Sequence, residues 1–233
     1  WIAVVASEGK EQPLFKIAVD VGVPVRLVGG NNYDPVWSPD GRFIAYSEHH
    51  GGPRYQLKGI TPEKQQFRLS EVTLAAGGNR YRFLPDGKAL ALIRGHYRNQ
   101  DFWLLNFATG QLRQLTNLRP GFDMKSFDVS PDGKHLYLSN EDAATASILD
   151  SANGKTRATL IVGTEPEGVG ITPDGRFAWV TSFDVLYHQW ITDDGAAVRI
   201  GDRIAGPMLG AYHASKFGLV GMTDSLRAEL TPS

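Results

Sequence analysis

Short apolar runs alternate with clusters of turn residues as far as about Gly201, and they do so on a fixed period. One tetrapeptide marks it: Ser38-Pro39-Asp40-Gly41, Leu84-Pro85-Asp86-Gly87, Ser130-Pro131-Asp132-Gly133 and Thr172-Pro173-Asp174-Gly175, with aspartates 46, 46 and 42 residues apart. A basic residue follows each time: Arg42, Lys88, Lys134, Arg176. Proline presets φ for a tight turn, aspartate bonds to the backbone two residues on, and glycine takes the positive φ that others avoid. Each turn lies between apolar stretches, as Pro35-Val36-Trp37 and Phe43-Ile44-Ala45-Tyr46 do around the first, which is the signature of a β-hairpin.

Third and fourth strands are predicted after the later hairpins: Phe102–Leu105 with Gln111–Leu115, Ser147–Leu149 with Thr156–Val162, and Leu186–Ile191 with Ala197–Ile200. Four strands per unit at a period of roughly 40–50 residues predict an all-β fold, a β-propeller of four-stranded blades. Ile2–Ala6, Leu14–Val19 and Val23–Val28 read as strands two to four of a blade without its first strand, which makes about five blades. A β-sandwich is the alternative, but evenly spaced hairpins are hard to place in one. Residues 201–207 are a candidate for the missing strand. Without it a blade edge stays open, and an open edge favours a homo-oligomer.

Composition narrows the function classes. With 24 basic and 25 acidic residues the formal net charge is −1, and no block of like charge points to nucleic acid or an anionic membrane. No apolar run approaches the roughly 18 residues that span a bilayer, so membrane insertion is not expected. Without cysteine there are no disulfides or thiolate metal sites, which is compatible with the periplasm. The chain starts on a strand at Trp1, and no signal peptide is read in it.

Trp37-Ser38-Pro39-Asp40-Gly41-Arg42-Phe43-Ile44-Ala45-Tyr46 resembles the blade motif of TolB-like bacterial propellers, and the likeness runs from Trp1 to about Ser139. Thr164-Glu165-Pro166-Glu167-Gly168-Val169, with Thr172 to Arg176, is similar to YVTN-type propellers instead. The resemblance implies a propeller over residues 1–201, a non-catalytic binding scaffold with a protein or peptide partner, and a periplasmic or otherwise extracytoplasmic location. The change of type near Asn140 raises another possibility, a chimeric chain without an evolved function.

Residues 202–233 form a separate segment. Apolar residues at 212, 219, 222, 226 and 230 fall at helical spacing and predict an amphipathic C-terminal helix that ends before Thr231-Pro232. Tyr212-His213-Ala214-Ser215-Lys216 resembles the Tyr-x-x-x-Lys helix of short-chain dehydrogenases/reductases. Residues i and i+4 share a helix face, so a lysine there lowers the phenol's pKa for proton transfer. The rest of that chemistry is missing. Arg199 or Arg203 stands where the resemblance calls for a serine, and no glycine-rich phosphate turn leads into a helix. Tyr212 and Lys216 are therefore read as vestigial, with no cofactor, and the helix as a packing or dimer contact. NAD(P)-dependent reduction through this pair is the alternative function.

The remaining candidates are few. Six histidines, at 49, 50, 96, 135, 188 and 213, show no ligand spacing, so no metal site is read. No Gly-x-Ser-x-Gly elbow is present. Trp37, Trp103 and Trp179 are read as packing between blades. Asp34, Arg80, Asp123 and Glu165 occupy comparable places just before the first strands of the four hairpins and are the candidate binding residues, expected around one mouth of a propeller channel.

Overall fold

Where aspartate, proline and glycine recur, the backbone makes the same turn. In the computed structural model, Ser38 N donates to Phe43 O at 2.9 Å and Gly41 N to Ser38 O at 2.9 Å, with Gly41 at φ +69°. The Asp40 carboxylate accepts from the Ser38 hydroxyl at 2.7 Å and from Arg42 N at 3.1 Å, and the same hydroxyl accepts from Phe43 N at 3.1 Å. Ser130 with Asp132, and Thr172 with Asp174, repeat this network. The Leu84 turn keeps the backbone bonds and the bond from Lys88 N to Asp86, but has no hydroxyl to offer.

The structure describes residues 1–20, 22–52, 54–75, 81–96, 99–118, 123–182, 185–193 and 196–204, which fold into five antiparallel sheets with no helix among them. The chain divides into two units. The first, residues 1–120, holds three sheets. One contains β1 (Ile2–Val5), β2 (Leu14–Ile17) and β3 (Val25–Val28), in that order. The next contains β4 (Asn32–Trp37), β5 (Ile44–His49), β6 (Arg54–Ile60), β7 (Gln66–Phe67) and β8 (Thr73–Ala75), with β7 and β8 both paired to β6. The third is β9 (Tyr81–Phe83), β10 (Ala89–His96), β11 (Asn99–Asn106) and β12 (Leu112–Gln114). The second unit, residues 121–233, holds two sheets. They are β13 (Met124–Val129) to β16 (Thr156–Ile161), with β14 (His135–Asn140) and β15 (Thr145–Asp150) between, and β17 (Val169–Ile171) to β20 (Ala196–Ile204), with β18 (Phe177–Val180) and β19 (Val185–Asp193) between.

The burial gradient within each sheet explains the sequence pattern. Second strands are buried on both faces: Ala89 to Ile93 on β10 and Leu136 to Leu138 on β14 have almost no exposed surface. They therefore read as continuous apolar runs rather than as alternation. Outer strands such as β16 alternate and stay wet, with Ile161 exposed. In the first unit Phe43, Leu57, Tyr81, Phe83, Leu90, Leu92 and Leu105 form one core cluster. In the second unit Tyr137, Ile148, Val162, Ala178 and Val180 form another.

The first sheet has three strands, as the missing inner strand required. Residues 201–207 do not complete it where they are described: Gly201 to Ile204 belong to β20, with Gly201 opposite Gln189 and Ile204 opposite Val185. The fifth sheet's hairpin is longer than its apolar pattern implied, and it absorbs them. The expected C-terminal helix, with Tyr212 and Lys216, lies outside the described residues. No helix among the described residues is long and apolar enough to cross a membrane.

The turn aspartates give the fold a defined acid response. Donation from Ser38 and from Arg42 holds Asp40 down at about 2, and Thr172 and the Arg176 amide likewise lower Asp174. At Asp132 partial burial pushes upward, but the Ser130 hydroxyl and the Lys134 amide outweigh it. A carboxylate whose folded pKa is depressed stabilises the fold above its unfolded pKa, about 4, and stops doing so as pH falls through the folded value. We expect the urea midpoint to fall between about pH 4 and pH 2, and the fall to be shallower in Asp40→Asn. Parallel pH profiles of the two chains would exclude this origin.

Candidate functional site

Strand β4 carries the most constrained of the candidate residues. Its pairing with β5 slips between Tyr33 and Val36, and Asp34 inside that irregularity takes φ +50°. A non-glycine residue there is strained by roughly 1–3 kcal/mol and persists only where its surroundings fix it. Two groups fix it. The Tyr81 hydroxyl, at the start of β9, donates to Asp34 O at 2.5 Å. Burial, followed by the Asp34 charge, pushes the pKa of Tyr81 far up, so it remains a donor. At the other end, the buried Asn32 side chain donates to Gln12 O at 3.1 Å and Gly29 O at 2.9 Å, and Asn32 N donates to Gln12 O at 3.0 Å. These bonds clamp the entry of β4 against the loop between β1 and β2.

A groove of about 620 Å³ opens beside this strand, lined by Ala3, Val4 and Val5 of β1, by Asp34 to Trp37 of β4, and by Arg82 of β9. That size suits a small ligand or a short peptide. Its walls combine an apolar strip with one acidic and one basic residue. A second groove, about 640 Å³, lies where the outer strand of the second sheet is split, between Gln56 to Gly59 on β6 and residues 66–73.

Asp123 and Glu165 belong to the second unit. Asp123 is buried just ahead of β13, and its carbonyl accepts from Glu141 N at 3.0 Å. Glu165 is exposed ahead of β17 at φ +47°. Between them in sequence, Lys125 bonds Glu141 at 3.1 Å. Partial burial pulls the Lys125 ammonium down, but Glu141, then Glu167 and Asp123, outweigh it and leave its pKa above the ordinary lysine value. Arg80 lies outside the described residues.

The candidates are not equivalent in the repeat. Asp34 stands six residues ahead of Asp40, within a strand, whereas Asp123 stands nine ahead of Asp132 and Glu165 nine ahead of Asp174, both before their strands. Arg82, two residues ahead of the Leu84 turn, was missed from sequence; its neighbour Tyr81, apolar but for one hydroxyl, was the available signal. Lys125 and Glu141 were also missed, because they meet only through the β13–β14 pairing. Trp37 packs against the buried cluster of Leu14, Leu27, Ile44, Tyr46 and Ile60, and Trp103 lies at the rim of the first unit's main cluster with Arg94 4.9 Å over its ring. Among the described residues no group of His, Asp or Glu is placed to hold a metal ion.

No protein-family model matches the chain. It is 36% identical over 85 residues to the Tol-Pal system protein TolB of Francisella tularensis subsp. holarctica, covering 35% of this chain and 19% of that protein. It is 33% identical over 135 residues to TolB of Nitratidesulfovibrio vulgaris, covering 52% and 29%. A 6-phosphogluconolactonase of Pectobacterium carotovorum is 26% identical over 183 residues, covering 67% and 52%. The chain thus spans about a fifth to a half of the length of these relatives. Among solved structures, TolB from Acinetobacter baumannii superimposes with a TM-score of 0.64 at 18% identity, over 84% of this chain and 50% of that one. The β-propeller domain of Cps50 (Swd1) from Myceliophteria thermophila gives 0.65 at 14% identity, over 86% and 68%. These likenesses establish the fold: the chain is a β-propeller of antiparallel blades, similar in part of its sequence to TolB.

Proposed function

We propose that the chain is a non-catalytic β-propeller module that binds a protein or peptide, similar in role to a TolB-type scaffold. The observation that carries the reading is Asp34, held in a strained conformation by a buried tyrosine at the rim of a groove that also contains Arg82. Strain kept by dedicated contacts marks a position where geometry is used. Similarity to TolB over about half the chain supports a protein partner and an extracytoplasmic location. Arg80, Asp123 and Glu165 are proposed as further contact residues.

Selection of ligands from a displayed random-peptide library on the immobilised chain tests this. Enriched peptides are expected to lose at least about tenfold in affinity, or 1.4 kcal/mol, with Asp34→Ala/Arg82→Ala, and less with single Asp123→Ala or Glu165→Ala changes. Selection that enriches nothing above background would overturn the reading.

A sugar-lactone hydrolase is the second reading, favoured by the 183-residue similarity to 6-phosphogluconolactonase. The binding reading expects 6-phosphogluconolactone to open at its spontaneous rate in the presence of the chain. Acceleration that saturates with substrate would replace it.

A further inference from the structure

We infer that the groove along the split outer strand of the second sheet binds a neutral, hydroxyl-rich ligand, a short saccharide. The site is separate from the groove beside Asp34, and neither reading depends on the other. It starts from a jump in register. Between the pairs Gly59↔Phe67 and Gln56↔Thr73, β6 advances by three residues and the outer strand by six, so three extra residues are looped out opposite Lys58. The loop leaves one rung of the ladder half made. Leu57 N donates to Val72 O at 3.0 Å, but among the described residues no bond returns from Val72 N to Leu57 O. The amides of Arg68 to Glu71 also have no partner among the described residues. Val72 itself is only 4% exposed. A backbone amide in such a place requires a hydrogen-bond partner, and what the chain does not supply comes from water or a ligand.

The loop is nevertheless held in place. The Ser70 hydroxyl donates to Gly110 O at 3.1 Å, which ties it to the turn between β11 and β12. Phe67 and Leu69 pack against the core cluster of the first unit. Against the loop lies Gly59, where an added Cβ would be 2.8 Å from Phe67 O and 3.3 Å from Leu69 Cγ, so only glycine lets the loop come this close. Unpaired polar backbone on a fixed, concave frame is preorganised for a ligand. The groove's 640 Å³ falls within the range of small-ligand sites, roughly 300–1,000 Å³. Its lining sets the class of ligand. Gln56, Gln66 and Thr73 offer neutral donors and acceptors, and their side chains have no other partner among the described residues. Lys58, Arg68 and Glu71 bring charges of both signs, none of them in an ion pair among the described residues. These charges largely cancel, which disfavours a ligand of high net charge. A hydroxyl both donates and accepts, so it can meet amide, carboxylate and guanidinium alike. Phe67 adds an apolar surface: one face stacks on Phe43 with ring centroids 3.8 Å apart, and the ring, only partly buried, lines the groove. A sugar ring matches both kinds of surface, with hydroxyls around its edge and C–H groups on its faces.

Titration calorimetry of the full chain with maltose, cellobiose, trehalose and N,N′-diacetylchitobiose tests this. At least one is expected to bind with a dissociation constant of about 1 mM or tighter. Saturation with that sugar should shift the amide resonances of Arg68 to Val72 in the parent chain, a readout that needs no variant to fold. Arg68→Ala/Glu71→Ala removes two exposed side chains that support no other described group, and should weaken binding at least about tenfold with the urea midpoint unchanged. Asp34→Ala/Arg82→Ala should leave the affinity within about twofold of the parent. Failure of every sugar to bind overturns the inference, whatever the peptide library yields. Binding of inorganic phosphate by this loop in place of the sugars would make it an anion site and overturn the stated ligand. Sugar binding that shifts Asp34 and Val36 instead, or that is lost only with Asp34→Ala/Arg82→Ala, belongs to the other groove and overturns the site.

Discussion

Phe43→Ala is expected to destabilise the chain by about 3–5 kcal/mol, the range for removing a buried ring. Phe43 is 3% exposed and touches rings from two sheets of the first unit. It stacks on Phe67 with centroids 3.8 Å apart and meets Phe83 at 5.4 Å and Phe107 at 5.9 Å, both edge-on. Aromatic pairs contribute roughly 0.5–1.5 kcal/mol beyond burial, and one substitution removes three of them. The site cannot collapse easily, because the Ser38 turn fixes the Phe43 backbone by two hydrogen bonds. Phe177 stands at the same place in the last repeat and is the internal control. It is only partly buried, with Arg176 5.5 Å over its ring. Urea unfolding of Phe43→Ala and Phe177→Ala should separate by at least about 1.5 kcal/mol. Equal losses would mean that the ring cluster is not what Phe43 supports.

That contrast shows what the repeat discloses. Pro-Asp-Gly places the hairpins because the chemistry of the turn is local: hydroxyl, carboxylate and glycine meet within six residues. It also placed the first sheet, since the three apolar runs ahead of Ser38, Ile2–Ala6, Leu14–Val19 and Val23–Val28, fall into the frame as strands two to four of a blade. It was silent about contacts between sheets. Nothing in the local pattern distinguishes Phe43 from Phe177; only the identity of the neighbouring sheet does.

The split outer strand of the second sheet was hidden for a similar reason. Residues 68–72 mix charged and apolar side chains without period, and their course is set by Leu57 N bonding to Val72 O and by Ser70 bonding to Gly110 O. At the candidate site, Asp34 was visible as a charged residue near a turn, but its strain and its tyrosine clamp depend on partners 47 residues away. The groove beside β1 could be anticipated only as a missing strand.

Gly95→Ala should be the most damaging glycine substitution among those near the third sheet's hairpin, at about 3 kcal/mol or more. Gly95 lies in β10 opposite Gln100 of β11, at φ +118°, where an L side chain is strained whatever the space. Space is also lacking: an added Cβ would sit 2.1 Å from Asn99 O and 3.0 Å from Gln100 Cα. Both obstacles are backbone, so no rotamer relieves them, and β10 and β11 must separate by more than an ångström at their closed end. That end feeds directly into the core. Gln100 is 3% exposed, and Phe102 two residues on is fully buried with its amide bonded to the Thr116 hydroxyl at 2.9 Å. Movement there displaces Phe102 from Ile93, its partner across the pair. Gly41→Ala isolates the conformational part: φ is +69° with nothing within 4 Å, so only the left-handed penalty of roughly 1–2 kcal/mol applies. Gly170→Ala, with ordinary φ and open space, should be within about 0.5 kcal/mol of the parent. The order expected from urea unfolding is therefore Gly95, then Gly41, then Gly170. If Gly95→Ala matches Gly41→Ala, the β10–β11 hairpin closes less tightly than its register requires.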